Sequence, residues 1–488
     1  MRESGILMHI TSLPGKYGIG TMGRQAYQFI DFLKRAGQRC WQLLPLNPTG
    51  YGDSPYQCCS TFAGNPYLID LEILVEQGLL NPREPEQYCW STREDKVDFG
   101  LLYANRLSVL QLAFSRFADW EALDRFCAEQ SSWLPDFALY MALKEENGGK
   151  PWYQWDTPLK TRDPDAMWEA RMRLKQRLRF YSFVQYQFYQ QWDKVRNYAK
   201  ENGISIIGDV PIYVPLDSVD VWKDPELFQL DDALTPIAVA GCPPDGFNQD
   251  GQLWGNPLYR WDIMQKDGYV WWLRRLAAAG RLYDRVRLDH FRGLEAYWSV
   301  PYGDETARNG KWVKGPGMDF IDAVKRALPQ LQLIAEDLGH LTPQVLQMRE
   351  EAGLPGMKVL EFAFDTDEPS DYLPHMYGKN TVCYTGTHDN MPVGQWLGSV
   401  DQKTRKRAED YMCLTKQEGF IWGVIRTAYS SVSDLCMIQM QDCLELGSEA
   451  RMNFPGTSCG NWTWRALPGS CTDALAERLR RLATVYHR

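Results

Sequence analysis

The chain has 488 residues, 44% of them hydrophobic and 24% charged, the make-up of a globular protein too long for one simple core. Its net charge of −9 argues against a nucleic-acid or anionic-membrane surface, and charges interrupt every apolar run before the roughly 18 residues of a membrane span. The opening MRESGILMHI lacks the apolar core of a signal peptide, and twelve scattered cysteines, none in a CxxC pair, read as reduced thiols of a cytoplasmic protein.

Gly5 to Ile10 reads as a short apolar strand that opens into the Gly- and Pro-rich TSLPGKYGIGTMG. Tyr27, Phe29, Ile30, Phe32 and Leu33 then recur at helical spacing, closed by Gly37 as the residue after the C-cap. QRCWQLLPL is a second strand, so the unit is strand-helix-strand and implies a parallel pair. Residues 65 to about 160 lack strand signals and read as an inserted helical subdomain. One long helix is expected from Asp163-Pro164 to about Asn202, its aromatics forming a packed face. Ile204 to Val214 is an isoleucine-rich strand that turns polar at Asp209. Gly241 to Tyr259, with four Gly and three Pro, reads as a long loop without regular structure inside a lid region of about 215–265. Loops of that length are usually functional.

YDRVRLDHF, Tyr283 to Phe291, alternates like a strand, with Val286 and Leu288 on one side and Arg285, Arg287 and Asp289 on the other. Charges on a core strand need partners, and Arg287 and Asp289 point the same way and can pair. Two readings fit the pair: an ion pair that orders the following loop, or an ionised nucleophile at a strand end. Three more runs switch from apolar to acidic: LQLIAEDLG at Glu336, MKVLEFAFD at Asp365, and TVCYTGTHDN at His388 and Asp389. SEARMNFPG (Ser448 to Gly456) reads as the last strand, and a helix from about Ala474 to Tyr486 closes the chain.

Seven or eight strands, most followed by helix and polar at their carboxyl ends, describe a (β/α)8 TIM barrel with its site on that face. The spacings place Asp289, Glu336 and Asp389 on strands four, five and seven. A doubly wound sheet is the alternative, but no GxGxxG follows the first strand. Three acids around one mouth suit a retaining glycosidase mechanism. Asp289 beside Arg287 would be the nucleophile, Glu336 after LQLIA the acid with a raised pKa, and Asp389 a stabiliser of positive charge. Asp, Glu and His also suit divalent metals, yet no HxH or HExxH spacing occurs, so neither metal nor cofactor is expected.

GYGDSPYQ, GDVPIYV, PPDGFNQDGQLWGNPLY, VRLDHFRG, IAEDLG, GTHDN and MNFPG...GNWTWR, in that order, resemble the 4-α-glucanotransferases of the amylomaltase or disproportionating-enzyme type, glycoside hydrolase family 77. The match is collinear from residue 5 to the end. The resemblance implies an α-amylase-like barrel forming one catalytic domain with inserted subdomains and no C-terminal β-domain. It implies the same roles for Asp289, Glu336 and Asp389, with Arg287, His388 and Asp209 at the donor sugar. Ser54, Tyr56, Phe247 and Trp254 would contact glucan, with His290, Asp365 and Asn461 nearby. Maltose, malto-oligosaccharides and other α-1,4-glucans are the expected partners of a monomer or homodimer. Two departures stand out: Gly246 replaces a common lid aromatic, leaving Phe247 alone there, and Asn47 replaces a common Gly.

Overall fold

The computed structural model describes residues 2–244, 248–339, 341–365 and 370–488. Eight parallel strands close into a barrel: β1 Glu3–Leu7, β2 Cys40–Gln42, β3 Ser205–Val210, β4 Arg285–Leu288, β5 Gln332–Ala335, β6 Gly356–Val359, β7 Thr381–Tyr384 and β8 Leu435–Gln439. Each pairs with its sequence neighbours and β1 pairs with β8, the closed (β/α)8 arrangement. Asp289, Glu336 and Asp389 follow β4, β5 and β7. The last strand departs from expectation. Ser448–Gly456 holds only a short 3-10 turn, Ser448–Ala450, and the eighth strand is the earlier run LCMIQ.

Alternate strand residues fill the barrel. Cys40, Ile207, Ile334, Met357, Val359, Val382, Tyr384, Leu435 and Met437 form an apolar cluster of their own. Continuing the alternation by two residues puts Asp209 on the same inward face as Ile207. In the β3–β4 register Asp209 stands opposite Arg287. An apolar floor therefore carries a polar layer at the carboxyl ends, where catalytic groups of such barrels sit.

The helix Arg24–Arg35 stops at Ala36 because Gly37 takes a φ of 68°, open to glycine at little cost. Asp163 caps the next predicted helix by accepting from Asp165 N and Ala166 N, with Pro164 at the first position. That helix is two, Pro164–Arg173 and Lys175–Glu201, broken at Leu174. The second buries Phe180, Phe183, Phe188, Trp192 and Val195, so its aromatics pack rather than bind. Before it lie the helices Phe99–Arg116, Trp120–Glu129 and Leu134–Glu146 of the insert between β2 and β3.

Gly241–Tyr259 is more ordered than its glycines and prolines suggested. Ala238–Cys242 and Gln252–Pro257 pair antiparallel, and Ala296–Pro301 and Lys311–Lys314 extend them to a four-stranded sheet. The sheet is thus assembled from the excursions after β3 and β4. Gly246 and Phe247 lie outside the described residues. Among the described residues no helix is long and apolar enough to cross a membrane.

Candidate active site

The polar layer is organised around Arg287. Its Nη1 donates to Asp209 Oδ1 and Oδ2 at 2.9 and 2.7 Å and to Asp289 Oδ1 at 2.8 Å. The arginine and Asp209 side chains are 3% and 0% exposed, whereas Asp289 keeps 26%. Burial disfavours the guanidinium, but Asp209 and Asp289 override it and hold Arg287 well above its ordinary pKa. Burial raises the Asp209 carboxyl against the pull of Arg287. Asp289 therefore faces the mouth while a fixed cation grips one of its oxygens.

Glu336 stands one strand away. Its Oε2 accepts from His290 N at 2.7 Å, so it is tied to the residue after Asp289, and its Oε1 accepts from Leu338 N at 2.9 Å. The main chains interlock as well, Phe291 N donating to Glu336 O at 3.0 Å. Burial and the Asp289 charge carry Glu336 up to about 7, against Arg287 and the two N–H donors. A carboxyl poised there can lose and regain a proton near neutral pH.

Asp389 is set by different neighbours. His388 Nε2 lies 3.3 Å from Oδ2, and Asn453 Nδ2 donates to Oδ1 at 2.6 Å. Desolvation by the surrounding mouth would raise the carboxyl, but His388, Asn453 and Arg287 hold it well below the usual carboxylate range. Burial lowers His388, and Asp389 more than compensates, so the imidazole sits above its ordinary value. The imidazole stacks on Tyr56 at 5.0 Å, and Tyr56 Oη donates to Asp209 at 2.8 Å. A continuous chain, Asp389–His388–Tyr56–Asp209–Arg287–Asp289, therefore couples the two outer acids.

Of the other expected residues, Ser54 turns the backbone ahead of Tyr56 by accepting from Tyr56 N at 3.2 Å. Trp254, on the four-stranded sheet, meets His290 edge to face at 4.8 Å. Burial brings His290 down to about 4, a neutral ring at pH 7, and its Nε2 is buried with no hydrogen-bond partner among the described residues. That leaves a hydrogen-bonding atom for a ligand beside Asp289. Two residues stand apart. Asp365 is exposed at the end of the turn Leu360–Phe364 and makes no hydrogen bond to the three acids. Asn461 spends its amide inside its own loop, accepting from Phe454 N and donating to Thr457. It orders the segment that presents Asn453.

Asn453 and Trp462 escaped the sequence reading. Trp462 holds a φ of 64° and lies 5.7 Å from Tyr56 and 5.9 Å from His388, backing both rings. The positive φ of a bulky residue is invisible in sequence, but NxxxxxxxNW after the last strand was the available signal.

Comparison with known proteins gives the family. The family model described as 4-alpha-glucanotransferase matches residues 8–470. A 4-alpha-glucanotransferase of Clostridium butyricum is 46% identical over 485 residues, covering 99% of this chain and 100% of its own. One of Streptococcus pneumoniae serotype 4 is 47% identical over 492 residues, covering 100% and 97%. Among solved structures, an amylomaltase of Streptococcus agalactiae in complex with acarbose superposes with a TM-score of 0.98 at 40% identity, over 100% of both chains. Matched over nearly its whole length by sequence and fold, the chain belongs to the 4-α-glucanotransferase family.

Proposed function

We propose that this protein moves a segment of an α-1,4-glucan onto the 4-hydroxyl of another glucan or of glucose through a covalent glycosyl-enzyme on Asp289. The observation that carries the assignment is the contrast between neighbouring acids. Asp289 accepts from the buried Arg287 guanidinium at 2.8 Å, while Glu336, which accepts from His290 N at 2.7 Å, is carried up to about 7. In the first step Glu336 protonates the glycosidic oxygen as Asp289 attacks the anomeric carbon, with inversion. In the second Glu336 takes the proton from the incoming hydroxyl, which displaces Asp289 with a second inversion, so configuration is retained. Asp389, kept ionised, stabilises the oxocarbenium-like transition states electrostatically.

Water competes with the acceptor at the second step. A transferase must exclude it or place the acceptor far better. The four-stranded sheet bearing Trp254 and the helical insert are the parts of the chain suited to that cover. Maltose and malto-oligosaccharides are the proposed donors and acceptors, and the cytoplasm the proposed location, from the reduced-thiol composition. Incubation of purified protein with maltotriose, with products resolved by length, is the test. Glucose together with maltopentaose and longer chains supports transfer. Glucose and maltose alone would mean hydrolysis, and unchanged maltotriose would mean a binding protein.

A further inference from the structure

The loop bearing His388 and Asp389 leaves the barrel at the end of β7 and returns to regular structure in the helix Val393–Ser399. Pro392 is that helix's N-cap and offers no side-chain acceptor. The acceptor comes from beyond β8. Asp442, fully buried, takes the Val393 N–H on Oδ1 at 2.7 Å and the Thr385 hydroxyl on Oδ2 at 2.6 Å. One carboxylate thus closes both ends of the loop.

The neighbouring segment pins the loop's interior. Gln439 Nε2 donates to Met391 O at 3.3 Å, and Arg451 Nη2 to Asp389 O at 3.2 Å. Arg451 also holds Asn453 O at 2.9 Å, and Asn453 grips the Asp389 carboxylate. Burial pushes Asp442 up to about 7, and the neighbouring Glu361, buried with no partner for Oε1 among the described residues, feels the charges of both Asp442 and Arg451. A buried carboxyl is costly to keep. What it provides here is a fixed distance between the loop's two ends.

We propose that Asp442 is a positioning residue for the transfer reaction: by tying Thr385 to Val393 it sets where Asp389 stands against the sugar, touching no substrate itself. This rests on the reading of Asp389 as transition-state stabiliser. A displacement of about 1 Å at such a group costs on the order of a hundredfold in rate.

Asp442→Ala removes both tethers. It is expected to lower kcat on maltotriose by about 10- to 100-fold while KM changes little. Asp442→Asn recovers most of the loss, since its oxygen still accepts from Val393 N and its amide donates to the Thr385 oxygen. Thr385→Val cuts one tether in an isosteric side chain and gives an intermediate loss, which serves if Asp442→Ala does not fold. The decisive readout is a double-mutant cycle on an α-glucosyl fluoride donor. In an Asp389→Asn background, adding Asp442→Ala or Thr385→Val costs little more, because the tether acts through Asp389. Native kcat in both single variants, or the same fractional loss in both backgrounds, would overturn the proposal. Near-normal turnover by Asp389→Asn alone would overturn the assignment of Asp389, and the positioning role with it.

Discussion

Replacing Arg287 with Met removes the cation and keeps most of the side-chain volume. Its Nη1 makes three short contacts with two carboxylates, in a pair whose side chains are 3% and 0% exposed. Taking one partner from a buried ion pair costs about 3–5 kcal/mol, because the other charge stays buried and unpaired. That is roughly two to three and a half powers of ten in the ratio of folded to unfolded protein. The nineteen tryptophans make urea unfolding easy to follow by fluorescence. The deficit is also expected to depend on pH. Burial already raises Asp209, and loss of Arg287 raises it further above the unfolded value of about 3.9. A group raised on folding takes up a proton, so its stability contribution is full below the unfolded value and lost as pH rises through the folded one. The variant's deficit should therefore be larger at high pH and shrink as pH falls toward the unfolded value. Stability within about 1 kcal/mol of native at pH 7.5, or a deficit that does not shrink in acid, would refute the reasoning.

The remaining expectations concern the acids themselves. Asp289→Asn should fold and bind maltotriose yet lose several orders of magnitude in transfer; near-native transfer by a folded variant would remove Asp289 as nucleophile. Glu336 must carry its proton for the first step, so kcat/KM should fall as pH rises through about 7. A flat profile from pH 6 to 8 would contradict that. Asn453→Ala deletes the 2.6 Å donor to Asp389 and should lower kcat by about 10- to 100-fold with little change in melting temperature. A loss seen only in melting temperature would make Asn453 structural.

Much of the barrel is legible because each strand must switch from apolar to polar where it meets the site, as Ile207 to Asp209 and Ile334 to Glu336 do. The eighth strand hid for a physical reason. LCMIQ is buried along its whole length, and its polar end, Gln439 to Asp442, carries no obvious motif. Missing that strand also hid Asp442. The four-stranded sheet was obscured by Gly241, Gly251 and Gly255, residues that ordinarily mark loops; Gly251 and Gly255 take positive φ here, while Gly241 pairs within the sheet. The three acids and Arg287 were readable because charge at a strand end demands explanation. Asn453 and Trp462 were not, since they reach Asp389 and Tyr56 through loops whose course only tertiary packing sets. Asn461, expected near the sugar, shows the converse: a motif residue whose hydrogen bonds are used up in shaping its loop.

Glu336→Gln tests the central claim most directly. With an α-glucosyl fluoride the leaving group needs little acid help, so Asp289 can still be glycosylated, whereas the missing base slows release to an acceptor. Quenched after mixing, digested and mapped by mass spectrometry, this variant should carry one added glucosyl residue on the peptide containing Asp289. An adduct on any other residue, or no adduct while fluoride is consumed as fast as by the native enzyme, would contradict the account.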